Sequence, residues 1–143
     1  MASGQGSVLG FWFPVFILRL GFLMQDRIRF IEHKGKQILL ADCSHCTAEE
    51  LETLSRLVPS YVTAEPMGSV LLLADFTGSQ FERSAIERLK RDTVLDRPHL
   101  KRSAWVGTEM LPHIFYEHLK SFSQRDLPTF KTREEAMEWL VAE

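Results

Sequence analysis

Cysteine is scarce in this chain: Cys43 and Cys46 are the only two. One bridge is the most they could form, which excludes a disulfide scaffold and makes a reducing, cytoplasmic setting the expectation. No charge of one sign dominates. Lys and Arg number 17 against 19 Asp and Glu, a formal net charge of −2, and this balance gives no reason to expect nucleic acid or an anionic membrane as partner. The loops G-x-S-x-G, G-x-x-x-x-G-K-[ST] and G-x-G-x-x-G do not occur, so the common hydrolase and nucleotide-binding signatures are missing. No second Cys pair accompanies Cys43-Ser44-His45-Cys46, and His33, His99, His113 and His118 are scattered. A tetrahedral zinc site therefore lacks ligands, and no metal or cofactor is expected.

What the chain has is enough apolar material for one domain. Its 143 residues are 45% hydrophobic and 25% charged, the balance of a globular protein with a core that needs no staples. The most apolar stretch, Val8–Met24, differs in composition from everything after it. As a membrane helix it is marginal, because Pro14 and Arg19 interrupt it. As a secretory signal it lacks a basic leader. A third reading starts translation at Met24. Residues 1–26 are accordingly set outside the domain, which spans 27–143, and a membrane partner enters only if residues 8–24 are translated and inserted.

The domain is organised around Ser69–Arg91. Val70–Ala74 is an unbroken apolar run, as in a strand buried on both faces. Asp75-Phe76-Thr77-Gly78 breaks it, and Ser79 with Glu82 has the spacing of a capping box that opens a helix. Ahead of this unit, Arg27–Glu32 and Gln37–Asp42 read as a hairpin around Lys34-Gly35. Thr47 with Glu50 opens a helix with the stripe Leu51, Leu54, Leu57, Val58 and Tyr61, which Pro59 should kink or end. Downstream, Lys101–Val106 forms a strand, followed by Gly107-Thr108 and a helix carrying Met110, Leu111, Ile114, Phe115, Leu119 and Phe122. Leu127–Phe130 is a last short strand, and Thr132 with Glu135 caps a final helix with Ala136, Met137, Trp139 and Leu140 inward. The order ββαβαβαβα predicts an α/β fold with a mixed sheet, a hairpin first and right-handed β–α crossovers after it.

In such folds the turns after the strands bind things, which makes Asp42, Asp75, Thr77, Gly78, Ser79, Gly107 and Thr108 the binding candidates. Asp42 and Asp75 both end strands and could lie side by side, either as an acid/base pair or as residues that fix their own turns. Cys43 and Cys46 stand between a strand and a helix, the setting of redox motifs; the plainer reading is two small polarizable residues in a turn. The basic residues Arg83, Arg88, Lys90, Arg91, Arg97, Lys101 and Arg102 are interleaved with acids, as on a solvated face rather than a phosphate track. No catalytic set emerges.

DFTGSQFERSAIERLK, KRSAWVG and the ending FSQRDLPTFKTREEAMEWLVAE resemble the SpoIIAA-like group of STAS/SEC14-type domains, over about residues 27–143. The resemblance implies a small bacterial α/β domain related to anti-sigma-factor antagonists and, more distantly, to lipid carriers. It implies a non-enzymatic module that binds a protein partner, with an apolar small-molecule ligand as the alternative; a thiol redox protein is a further alternative that rests on Cys43 and Cys46 themselves. In the antagonists a serine at the start of the helix after the central strand is phosphorylated. Ser84 takes that place here, although Arg83 and Ala85-Ile86 depart from the surrounding pattern.

Overall fold

The structure, a computed structural model, describes residues 24, 26–113, 116–117, 120–121 and 127–142. The expectations for residues 1–23 and for Ile114, Phe115, His118, Leu119 and Phe122 lie outside the described residues. Strands β1 (Ile28–His33), β2 (Lys36–Asp42), β3 (Val70–Asp75), β4 (Leu100–Val106) and β5 (Thr129–Phe130) form one sheet in the order β1-β2-β3-β4-β5. The β1/β2 pair is antiparallel and the other pairs are parallel. The helices are α1 (Ala48–Val62), α2 (Arg83–Asp96) and α3 (Arg133–Val141). Between β4 and β5, His113, Tyr116, Glu117, Lys120 and Ser121 are also helical. This is the mixed α/β sheet that the sequence predicts.

The hairpin closes through Lys34 and Gly35, both at positive φ (51° and 79°). That is the backbone of a two-residue hairpin loop whose twist matches the strands. All six residues of β3 are buried, because its alternate side chains feed two different cores. Val70, Leu72 and Ala74 face a cluster with Leu39, Leu51, Leu54, Ile86, Leu89 and Trp105, so α1 and α2 cover this side. Leu71 and Leu73 face Ile38, Leu40, Ala104, Val106, Ala136 and Leu140, so α3 covers the other. Met24 already buries its side chain in the first cluster, ahead of the expected boundary at residue 27.

Thr47 caps α1 as expected: its hydroxyl accepts from the Glu50 amide at 3.1 Å, and the Glu50 carboxylate accepts from the Thr47 amide at 2.9 Å. Pro59 falls in the last turn of α1, where the helix continues only to Val62. Thr132 caps α3 by accepting from the Glu135 amide.

The start of α2 corrects the sequence reading. The helix begins at Arg83, and Glu82 is its N-cap, with no side-chain hydrogen bond. Ser79 is buried and donates its hydroxyl to the Cys43 carbonyl instead, which draws the side chain toward the end of β2, and residues 80–82 precede the helix. A tertiary acceptor 36 residues away has taken the group that a local pattern assigned to a cap. Basic residue Arg102 also departs from a solvated face: it donates to the Trp139 carbonyl at 2.7 Å and lies 5.1 Å over the Trp139 ring.

This correction is testable. Glu82→Ala should change stability by less than about 0.5 kcal/mol, whereas Ser79→Ala should cost about 1–3 kcal/mol by leaving a buried carbonyl short of a donor. Urea unfolding of both variants measures the difference, and equal losses would restore the capping box.

Candidate functional site

The C-terminal ends of β2, β3 and β4 carry three turns that lock together. Parallel pairing puts Asp42 directly opposite Asp75, and both side chains do the same local work. Asp42 Oδ1 accepts from the Ser44 amide (3.2 Å) and hydroxyl (2.5 Å). Asp75 Oδ1 accepts from the Thr77 amide (2.9 Å) and hydroxyl (2.6 Å). An Asp that bonds the backbone two residues on imposes a turn, so two strands end in matching turns side by side.

Two neighbouring carboxylates need a cation, and Arg133 at the first position of α3 supplies it. Its Nη2 lies 2.9 Å from Asp42 Oδ1 and its Nε donates to Asp75 Oδ2 at 2.6 Å. Burial pushes the Asp42 carboxyl up, but the Ser44 hydroxyl and amide together with the Arg133 guanidinium outweigh it, and Asp42 sits below the ordinary carboxylate range. The side-by-side placement expected from sequence is therefore present, with the two acids bridged through a fixed cation rather than through a shared proton.

Backbone bonds carry the parallel pairing past the strand ends. The Cys43 amide donates to the Asp75 carbonyl (2.8 Å), His45 to Thr77 (2.7 Å), Phe76 to Val106 (2.8 Å) and Gln80 to Cys46 (3.0 Å). From below, Arg27 Nη1 donates to the Ser44 carbonyl at 2.8 Å and to the Asp42 carbonyl at 3.2 Å. Gly78 and Gly107 both have positive φ (69° and 72°), and a side chain at either would meet a neighbouring turn. A Cβ on Gly78 would fall 2.5 Å from the His45 ring, and one on Gly107 would overlap the Thr77 amide and hydroxyl. The rim exposes His45, Thr77, Gly78 and Gln80 and half-exposes Thr108, while Ser79 is fully buried inside it.

The remaining candidates fall elsewhere or are turned inward. Cys43 and Cys46 are free and buried. Burial pushes both thiols up; the neighbouring Cys46 and Asp42 add to the effect at Cys43, and at Cys46 it prevails over the opposing pull of Arg27. A nucleophilic thiol needs the opposite shift. Ser84 is exposed at the second position of α2. His113 is exposed on its own helix, 3.8 Å from Glu117. Among the described residues no group of three or more His, Cys, Asp and Glu is placed to hold a metal ion. Among them no helix is long and apolar enough to cross a membrane.

A cavity of about 50 Å³ lies between the sheet and α1/α2, lined by residues including Cys43, Leu51, Ser55, Phe76, Leu89 and Trp105. Trp139 is on the opposite side, packed on Phe130 with ring centroids 5.8 Å apart, so it cannot share a pocket with Trp105.

Sequence reasoning found Asp42, Asp75 and the two glycines but missed Arg133, Arg27 and His45. The available signal was the repeat of Asp-x-Ser and Asp-x-Thr at the ends of β2 and β3: matching turns imply adjacent carboxylates, and those imply a cation. No family model matches the chain, and no curated protein or solved structure matches it.

Two outcomes follow. Arg133→Gln should lower stability by about 1–3 kcal/mol, the range for hydrogen bonds to charged groups reduced by partial exposure. Asp42 is lowered in the fold, so its contribution is complete above its unfolded pKa of about 3.9 and is lost as pH falls through the lower folded value. Unfolding measured from pH 7 downward should show wild type losing its advantage over Arg133→Gln below about pH 4; a constant gap would contradict the clamp. Gly107→Ala should cost more than Gly35→Ala, because Gly35 has only its φ to preserve and meets nothing within 4 Å. About 1–2 kcal/mol is expected at Gly35, and at least about 1 kcal/mol more at Gly107, in the same unfolding assay.

Proposed function

We propose that this chain is a non-enzymatic binding module that engages a protein partner through the rim of turns after β2, β3 and β4, as the resemblance to SpoIIAA-like STAS/SEC14-type domains implies. The observation that carries the reading is the cross-bonded rim itself. His45, Thr77, Gly78 and Gln80 are exposed on turns that are fixed from three sides by backbone bonds, paired Asp turns and Arg133. A surface already rigid before binding loses little entropy when a partner docks. Asp42 is held ionised by Ser44 and Arg133, which suits a structural acid better than a proton shuttle.

Regulation by phosphorylation at Ser84 belongs to the same reading. Its hydroxyl is exposed in the first turn of α2, where the open amides of a helix start favour a phosphate. The alternative of an apolar-ligand carrier rests on the cavity beneath α1 and α2. At about 50 Å³ it is far smaller than the roughly 300 Å³ of a small-molecule pocket, so carriage would require the two helices to part. Two free buried cysteines suit a reducing, cytoplasmic compartment.

The test is cross-linked capture from the cells that make the protein, combined with native mass spectrometry. A stoichiometric protein partner should be captured by wild type and by Ser60→Arg on the exposed side of α1, and lost with His45→Arg plus Gln80→Arg on the rim. Ser84→Glu should change that partner's affinity by at least about tenfold, or 1.4 kcal/mol. A partner retained by the rim variant would move the interface elsewhere, and a native mass carrying an apolar ligand would put the carrier first.

A further inference from the structure

We propose that α3 is a latch: a helix that leaves the sheet as a unit while β1–β4, α1 and α2 stay folded, held down by charged contacts along its length as well as by apolar packing. Among the described residues α3 covers its side of the sheet alone, packed on β2, β3, β4 and β5, whereas α1 and α2 share the other side and pack on each other. Its nine residues bury Ala136, Leu140 and Val141, with Met137 and Trp139 packed beside them.

The polar attachments, by contrast, run along its whole length. At its start Arg133 spans Asp42 and Asp75. In its middle Glu138 accepts from Lys34 Nζ at 2.6 Å and meets His33 Nε2 at 2.6 Å, tying the helix to the hairpin turn. At its end Lys36 Nζ donates to the Val141 carbonyl at 3.1 Å and Arg102 to the Trp139 carbonyl at 2.7 Å. The last two supply cations at the negative end of a helix with no basic residue in its own last turn. Several of these groups are well solvated: the Lys34 and Glu138 side chains are 62% and 50% exposed. Salt screens such contacts, whereas it leaves the apolar packing under α1 and α2 in place. Release would uncover Ile38, Leu40, Leu71 and Leu73, which lie in the α3-side cluster.

Hydrogen exchange of the full chain, read by mass spectrometry, tests this. In low salt the amides of residues 133–141 should exchange roughly tenfold faster than those of β3, as a separately opening unit does. In about 1 M sodium chloride, where charges are screened beyond about 3 Å, the α3 rate should rise several-fold further relative to β3. Arg133→Gln should accelerate α3 without accelerating α1 or α2, and Glu138→Gln, which alters only an outer contact and so leaves the fold intact, should do the same to a smaller degree. Equal rates for α3 and β3, no response of α3 to salt, or a Glu138→Gln variant whose α3 exchanges as in wild type would each overturn the latch.

Discussion

The arrangement on which the rim of turns after β2, β3 and β4 depends is one guanidinium between two carboxylates. It follows from the sheet. Parallel strands in register that both end in Asp bring two negative charges to about the 5 Å strand spacing, where they repel by about 3 kcal/mol at an effective dielectric of about 20. Neither Asp is dispensable locally, since each fixes the turn that follows it. The repulsion is therefore built into the turn design, and Arg133, with its forked donors, answers both charges at once. Because Arg133 opens α3, the cation that permits the rim also fixes where the last helix begins.

Both sides of the sheet are apolar, but the two clusters differ in size and in what borders them. Under α1 and α2 a broad apolar cluster reaches from Met24 to Leu127 and includes Phe76 packed edge-on against Trp105 at 5.1 Å. Under α3 the cluster is smaller, and the helix is bordered by Lys34, Lys36, Arg102 and the Asp pair. Apolar burial is insensitive to salt at ordinary concentrations, whereas surface ion pairs are not.

The sequence is legible where a local pattern and the tertiary environment agree. Val70–Ala74 reads as a central strand because a strand covered on both faces has no polar position to spare, and every residue of β3 is buried. Thr47 and Glu50 cap α1 because nothing else competes for them. Ser79 and Glu82 have the same spacing but not the same outcome, since the fold brings the Cys43 carbonyl to the Ser79 hydroxyl. A local rule cannot weigh a partner that only the sheet brings near. Arg133 is the other instance: it is 58 residues from Asp75, and nothing in its own neighbourhood sets it apart from Lys131. The glycines were identifiable as turn residues, yet what a side chain at either would meet lies across the rim, in His45 for Gly78 and in Thr77 for Gly107.

His45 departs from the glycine pattern of the rim. It is the second residue of the Ser44-His45 turn and holds φ at 54°, a conformation that costs a non-glycine residue about 1–2 kcal/mol. Glycine would relieve that cost, and it occupies the equivalent strained positions at Gly78 and Gly107. At 45 the chain instead keeps a side chain, exposed, whose ring lies 2.5 Å from where a Cβ on Gly78 would fall. Rigidity alone does not explain this, because the backbone bonds of the Cys43–Cys46 turn do not use the ring. The imidazole is thus a large exposed group held on a strained backbone, next to a residue reduced to hydrogen. That pairing of a projecting ring with a bare backbone step gives the rim its relief, and relief on a preorganised surface is what a binding partner can read.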